Sequence, residues 1–87
     1  MEIERKEIRT KVNKIIADII ESDHSDFDEN SKLIDELEFD SMCFLELSIQ
    51  IQREYGIIIP ACEWVEIKTL KELYDIIISK IETNETN

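Results

Sequence analysis

Residues Phe39 to Pro60 read FDSMCFLELSIQIQREYGIIIP, and this stretch decides the fold. Asp40 is a strong helix-capping type. Phe39 before it and Phe44 after it stand where a hydrophobic staple pins the entry of a helix. A helix is expected from Asp40 or Ser41 to about Tyr55, closed by Gly56, the residue that most readily takes the left-handed turn after a helix end. Ile57-Ile58-Ile59-Pro60 has strand propensity, but no second strand-like run exists to pair with it. A lone strand leaves its backbone unsatisfied, so the segment reads as a buried extended linker stopped by Pro60.

Working outward, Ile8, Val12, Ile15, Ile16, Ile19 and Ile20 form one helical stripe, with Lys11, Asn13, Lys14 and Asp18 off it, which predicts a first helix over about 3–21. The stretch 22–40 is long for a connection in so small a chain. Leu33, Ile34, Leu37 and Phe39 are expected to pin it to the core, with at most a helical turn near 33–36. Beyond Pro60 a short helix over about 61–66 is followed by Thr69 as the cap of a last helix, whose stripe is Leu70, Leu73, Tyr74, Ile77, Ile78 and Ile81. The polar tail at about 83–87 is expected to fray. The reading is all-α: one domain over 1–87, a bundle of three main helices plus a short third helix, with a long loop between helices one and two.

Composition agrees. The chain has 87 residues, with one Gly and one Pro, too few for a sandwich or barrel. Its 21 acids against 10 bases give a net charge of −11, the wrong sign for binding nucleic-acid phosphates. No apolar run approaches the ~20 residues that span a bilayer, and no basic-then-apolar leader opens the chain, so a soluble cytoplasmic protein is expected. Cys43 and Cys62 lie outside any zinc or disulfide spacing. Residues 21–40 hold nine acids against Lys32 alone, a net of −8. That segment reads as a solvated loop, and equally as a field that steers a basic partner.

Catalytic constellations are nearly absent. His24 sits in a polar loop and reads as a solvated surface residue. Asp26-x-Asp28-x-Asn30 resembles the start of a calcium loop, but Ser31 stands where the turn glycine is needed and Leu37 where a bidentate Glu is needed. Ser41 remains. On the residues alone it is either a helix-start serine or an attachment site, because free N–H groups and the positive dipole end at a helix start favour a phosphate diester. The helix it opens carries two apolar stripes, Met42/Leu45/Ile49 and Phe44/Leu47/Ile51. One is expected to pack the core, and part of the other to meet a partner. Cys43 reads as a passive half-buried thiol.

In their order, Leu33 and Leu37, Asp40-Ser41-Met42, Leu45, Glu46, Leu47, Ile49, the Tyr55–Pro60 segment and Ile67-x-Thr69-Leu70 resemble the phosphopantetheine-dependent acyl carrier protein family, including its peptidyl and aminoacyl carriers. The resemblance implies a four-helix carrier without catalytic residues. Ser41 would bear a covalent 4′-phosphopantetheine arm drawn from coenzyme A, Asp40 would position that serine, and Met42 would flank the arm. It also implies as partners a phosphopantetheinyl transferase, an acyl- or aminoacyl-loading ligase and downstream biosynthetic enzymes. Partner contact is expected at Glu38, Leu45, Glu46 and Ile49, on a monomer. Fatty-acid carriers typically have an acidic second helix. Here Glu46 and Glu54 are that helix's only acids, so a specialised, natural-product-type pathway is expected. The alternative reading is an acidic helical protein–protein interaction module without a covalent cofactor.

Overall fold

The computed structural model describes residues 4–85. Its elements are α1 (Arg5–Ile19), α2 (Ser41–Tyr55), α3 (Ala61–Trp64) and α4 (Leu70–Glu85), with no strand among the described residues. α1 packs against both α2 and α4. The core is built from the expected stripes: Ile8, Val12 and Ile16 of α1, Leu47 and Ile51 of α2, and Leu70, Leu73, Tyr74 and Ile77 of α4 are all buried. The Ile57–Pro60 segment is extended and unpaired, with Ile57 and Ile59 turned inward and Ile58 outward.

α2 begins and ends as its sequence requires. The Cys43 N–H donates to Asp40 Oδ1 at 3.0 Å. Phe39 and Phe44 meet edge to face with centroids 5.2 Å apart, and Gly56 closes the helix at φ 67°. Thr69 and Glu72 form a reciprocal capping box on α4: the Glu72 N–H donates to Thr69 Oγ1 at 3.3 Å and the Thr69 N–H to Glu72 Oε1 at 3.0 Å.

The long loop is tied down through its backbone. Leu33 N–H donates to Lys68 O at 3.0 Å, Leu70 N–H to Ser31 O at 3.2 Å and Lys71 N–H to Glu29 O at 2.8 Å, which zips the loop onto the start of α4. A turn covers 33–37, and Leu33, Phe39 and Phe27 are its buried anchors.

Five expectations need correction. Ile34 is no core anchor: it is 59% exposed, because the turn at 33–37 points it outward. Asn13 is off the apolar stripe yet buried, because it accepts a hydrogen bond from the Tyr74 hydroxyl. The first helix ends at Ile19, and Glu21 at φ 55° turns the chain so that Ser22 N–H reaches Ala17 O at 2.9 Å; its expected start at residue 3 lies outside the described residues. α3 stops at Trp64, and 65–66 continue as a turn. α4 runs to Glu85, three residues into the stretch expected to fray, with Thr83 Oγ1 donating to Ser79 O at 2.9 Å; residues 86–87 lie outside the described residues.

Candidate functional site

Ser41 is the first residue of α2 and is exposed. The Asp40 carboxylate, not the serine hydroxyl, caps the helix. The Cys43 backbone N–H holds that carboxyl below its ordinary range, so it stays ionised beside Ser41 through neutral pH. Glu38, three residues before Ser41, is exposed in a left-handed backbone conformation at φ 57°. Nothing in its residue type announces that turn.

Helical periodicity divides the surface of α2 in two. Ser41, Phe44, Leu45 and Ser48 line a cleft of about 520 Å³, whose far wall is Trp64, Val65 and Ile67. Ile34 and Lys68 complete its rim, with the Lys68 ammonium donating to Val65 O at 2.9 Å. Met42, Cys43, Glu46 and Gln50 face a shallower groove shared with Asp18 and Ile19 at the end of α1. Phe44 stands between two other rings, 5.2 Å from the Phe39 centroid and 5.6 Å from that of Trp64.

The two stripes of α2 separate as expected. Leu47 and Ile51 are buried and Phe44 half-buried against the core, whereas Met42 is 70%, Leu45 57% and Ile49 41% exposed. Glu46 is also exposed and accepts from Gln50 Nε2 at 3.1 Å. Every residue singled out from the sequence, Glu38, Asp40, Ser41, Met42, Leu45, Glu46 and Ile49, is therefore solvent-facing on or just before α2. Trp64 and Val65, the cleft's opposite wall, and Ile34 on its rim are not among the site residues expected from the sequence. Only the presence of the sole tryptophan in a very short helix hinted at it.

Residues 10–77 match the family model described as the phosphopantetheine attachment site. The chain belongs to the phosphopantetheine-dependent acyl carrier protein family. Similar proteins include acyl carrier proteins of Lactobacillus acidophilus, 34% identical over 85% of this chain and 92% of that one, and of Thermotoga maritima, 31% identical over 88% and 95%. Polyketide-8 synthase acyl carrier protein 2 of Streptomyces avermitilis is 23% identical over 84% of each chain. The protein is thus a carrier and not an enzyme, and its cofactor is covalent 4′-phosphopantetheine. Its partners include a phosphopantetheinyl transferase and biosynthetic enzymes. Family membership sets aside the alternative of an interaction module without a cofactor. Among the described residues no helix is long and apolar enough to cross a membrane.

Proposed function

We propose that Ser41 is the attachment residue of this carrier, and that the carrier serves a specialised, natural-product-type biosynthetic pathway. The observation that carries the first part is the placement of Ser41: an exposed hydroxyl at the first turn of a 15-residue helix, on the rim of an apolar cleft, with the cap supplied by its neighbour. Free N–H groups and the helix dipole favour a phosphodiester at that point. Because Asp40 does the capping, the Ser41 oxygen is left available for chemistry. During attachment the Ser41 Oγ–P bond forms and a P–O bond of the coenzyme A pyrophosphate breaks. The hydroxyl proton leaves to a base of the transferase, and adenosine 3′,5′-bisphosphate departs. When bound, the arm supplies a terminal thiol that holds an acyl or aminoacyl group as a thioester.

Asp40 orients the serine by fixing the first turn, and Met42 flanks the arm on the α1 side. Glu38, Leu45, Glu46 and Ile49 form the face that partners meet. The apolar stripe of α2, rather than an acidic one, supports the specialised pathway, since it suits partners that dock through buried side chains as well as charge. Similarity to a polyketide-8 synthase carrier points the same way. A loading ligase charges the arm, and the carrier acts as a cytoplasmic monomer that visits several enzymes in turn. Intact mass after incubation with coenzyme A and a promiscuous transferase tests the attachment. Wild type gains one arm, and Ser41→Ala, still folded, gains none. An arm gained by Ser41→Ala overturns the assignment.

A further inference from the structure

The cleft beside Ser41 is mostly apolar, with Ser48 and Lys68 as further polar lining, and it holds one anomaly. Trp64 lines it, and the indole Nε1–H is buried with no hydrogen-bond partner, the single such side-chain atom among the described residues. Buried donors are almost always paired, so an orphan needs an explanation. The wall that holds it is lightly built. α3 has four residues, none of them buried, and its ion pair to α4, Glu63 with Lys80 at 3.0 Å, is partly exposed to solvent. Segments of that kind open locally at low cost, and since Trp64 lines the cleft, such an opening would bring its donor within reach of an occupant.

We propose that Trp64 is a specificity-determining residue for the cargo, its indole N–H donating to an oxygen along the carried acyl chain. The preferred cargo class is an oxygenated acyl group, bearing a carbonyl or hydroxyl beyond the thioester, over a saturated one of equal length. This rests on attachment at Ser41, on the rim of the cleft, which brings the cleft within reach of the flexible arm and its cargo. The rest of the lining supports the selection. Phe44, Leu45, Ile59, Val65 and Ile67 give an acyl chain apolar contact without regard to its oxidation state, so discrimination falls to the polar groups; Ser41 would carry the arm, the Lys68 ammonium already donates to Val65 O, and the Trp64 N–H is the buried donor left without a partner. A site built to pair a substrate oxygen rejects the analogue that lacks it, because the donor is then left unpaired. The cleft's volume of about 520 Å³ lies within the range of small-molecule sites.

Trp64 is the only tryptophan, so its indole N–H gives one assignable nitrogen-15 resonance. The carrier is loaded at Ser41 from coenzyme A, hexanoyl-coenzyme A, 3-oxohexanoyl-coenzyme A or 5-oxohexanoyl-coenzyme A, and each product is verified by intact mass. The indole resonance moves downfield and its solvent exchange slows with at least one oxo-acyl cargo; both change less with hexanoyl cargo and not with the bare arm. Thioester hydrolysis of that oxo-acyl carrier is roughly two- to tenfold faster in Trp64→Phe than in wild type, the range a net hydrogen bond spans. Hexanoyl hydrolysis is the same in both. An unmoved resonance on every mass-verified sample, an equal shift with hexanoyl, or a shift complete with the bare arm overturns the proposal. Failure of the chain to gain mass from coenzyme A itself instead strikes the Ser41 assignment.

Discussion

The pairing of Asn13 with Tyr74 sets a measurable quantity in the frame that holds α2. The Tyr74 side chain is 0% exposed and Asn13 3% exposed, and the Tyr74 hydroxyl donates to Asn13 Oδ1, joining α1 to α4. Tyr74→Phe keeps the ring in the core and beneath the Arg5 guanidinium, which stands 5.7 Å from the ring centroid. What is lost is the hydroxyl, leaving a carboxamide oxygen buried without a donor, at a cost of about 1–3 kcal/mol. At ~4–8 °C per kcal/mol for a domain of this size, Tm should fall by roughly 5–20 °C. Asn13→Ala orphans the hydroxyl instead and should cost a similar amount. Removing both partners leaves no orphan, so the double variant should lose less than the two single losses combined, by at least ~0.5 kcal/mol. Urea unfolding of the four proteins, followed by circular dichroism, gives the cycle. Single losses that add to within ~0.3 kcal/mol, or a neutral Tyr74→Phe, refute the coupled buried pair.

Three further outcomes follow from the same structure. Burial pushes the Tyr55 and Tyr74 hydroxyls up to about 12, so the unfolded chain releases those protons first and stability should fall as pH rises from about 10 to about 12; backbone N–H bonds hold Asp40 and Glu72 below the ordinary range, so stability should also fall as pH drops through their lowered values, and urea midpoints that stay flat in both windows contradict this. With 21 acids against 10 bases, screening should relieve more repulsion than it weakens attraction, so Tm should rise as salt goes from about 10 mM to about 150 mM, and a falling Tm contradicts it. Leu45→Glu and Ile49→Glu should leave the unfolding free energy within ~0.5 kcal/mol of wild type, because both side chains face solvent, yet lower kcat/KM for arm attachment about tenfold; unchanged kcat/KM removes the stripe from the transferase-docking surface.

How much of this was legible depended on where the information sits. The ends of α2 were fully written in Phe39, Asp40, Phe44 and Gly56, because a staple, a cap and a left-handed turn are local and each demands particular residue types. The stripes of α1 and α4 were legible for the same reason, since helical period is a local property. Asn13 was misplaced because its burial is decided by a hydroxyl 61 positions away. Ile34 was misplaced because which side of a turn faces the core is set by the backbone bonds of the loop to the start of α4. Glu21 and Glu38 adopt left-handed backbone without being glycine or asparagine, so nothing local marked the end of α1 or the turn before Asp40. Ser41 and its neighbours can be singled out as the proposed site because they lie on one continuous segment. The cleft cannot, because its two walls come from segments about twenty residues apart.

The most direct test of the account is intact mass of the folded chain after incubation with coenzyme A and a promiscuous phosphopantetheinyl transferase, with fragmentation to locate the change. One phosphopantetheine is expected on the wild type, on Ser41, and none on a Ser41→Ala protein whose unfolding midpoint is unchanged. An arm on another residue, or none on the folded wild type, would contradict it.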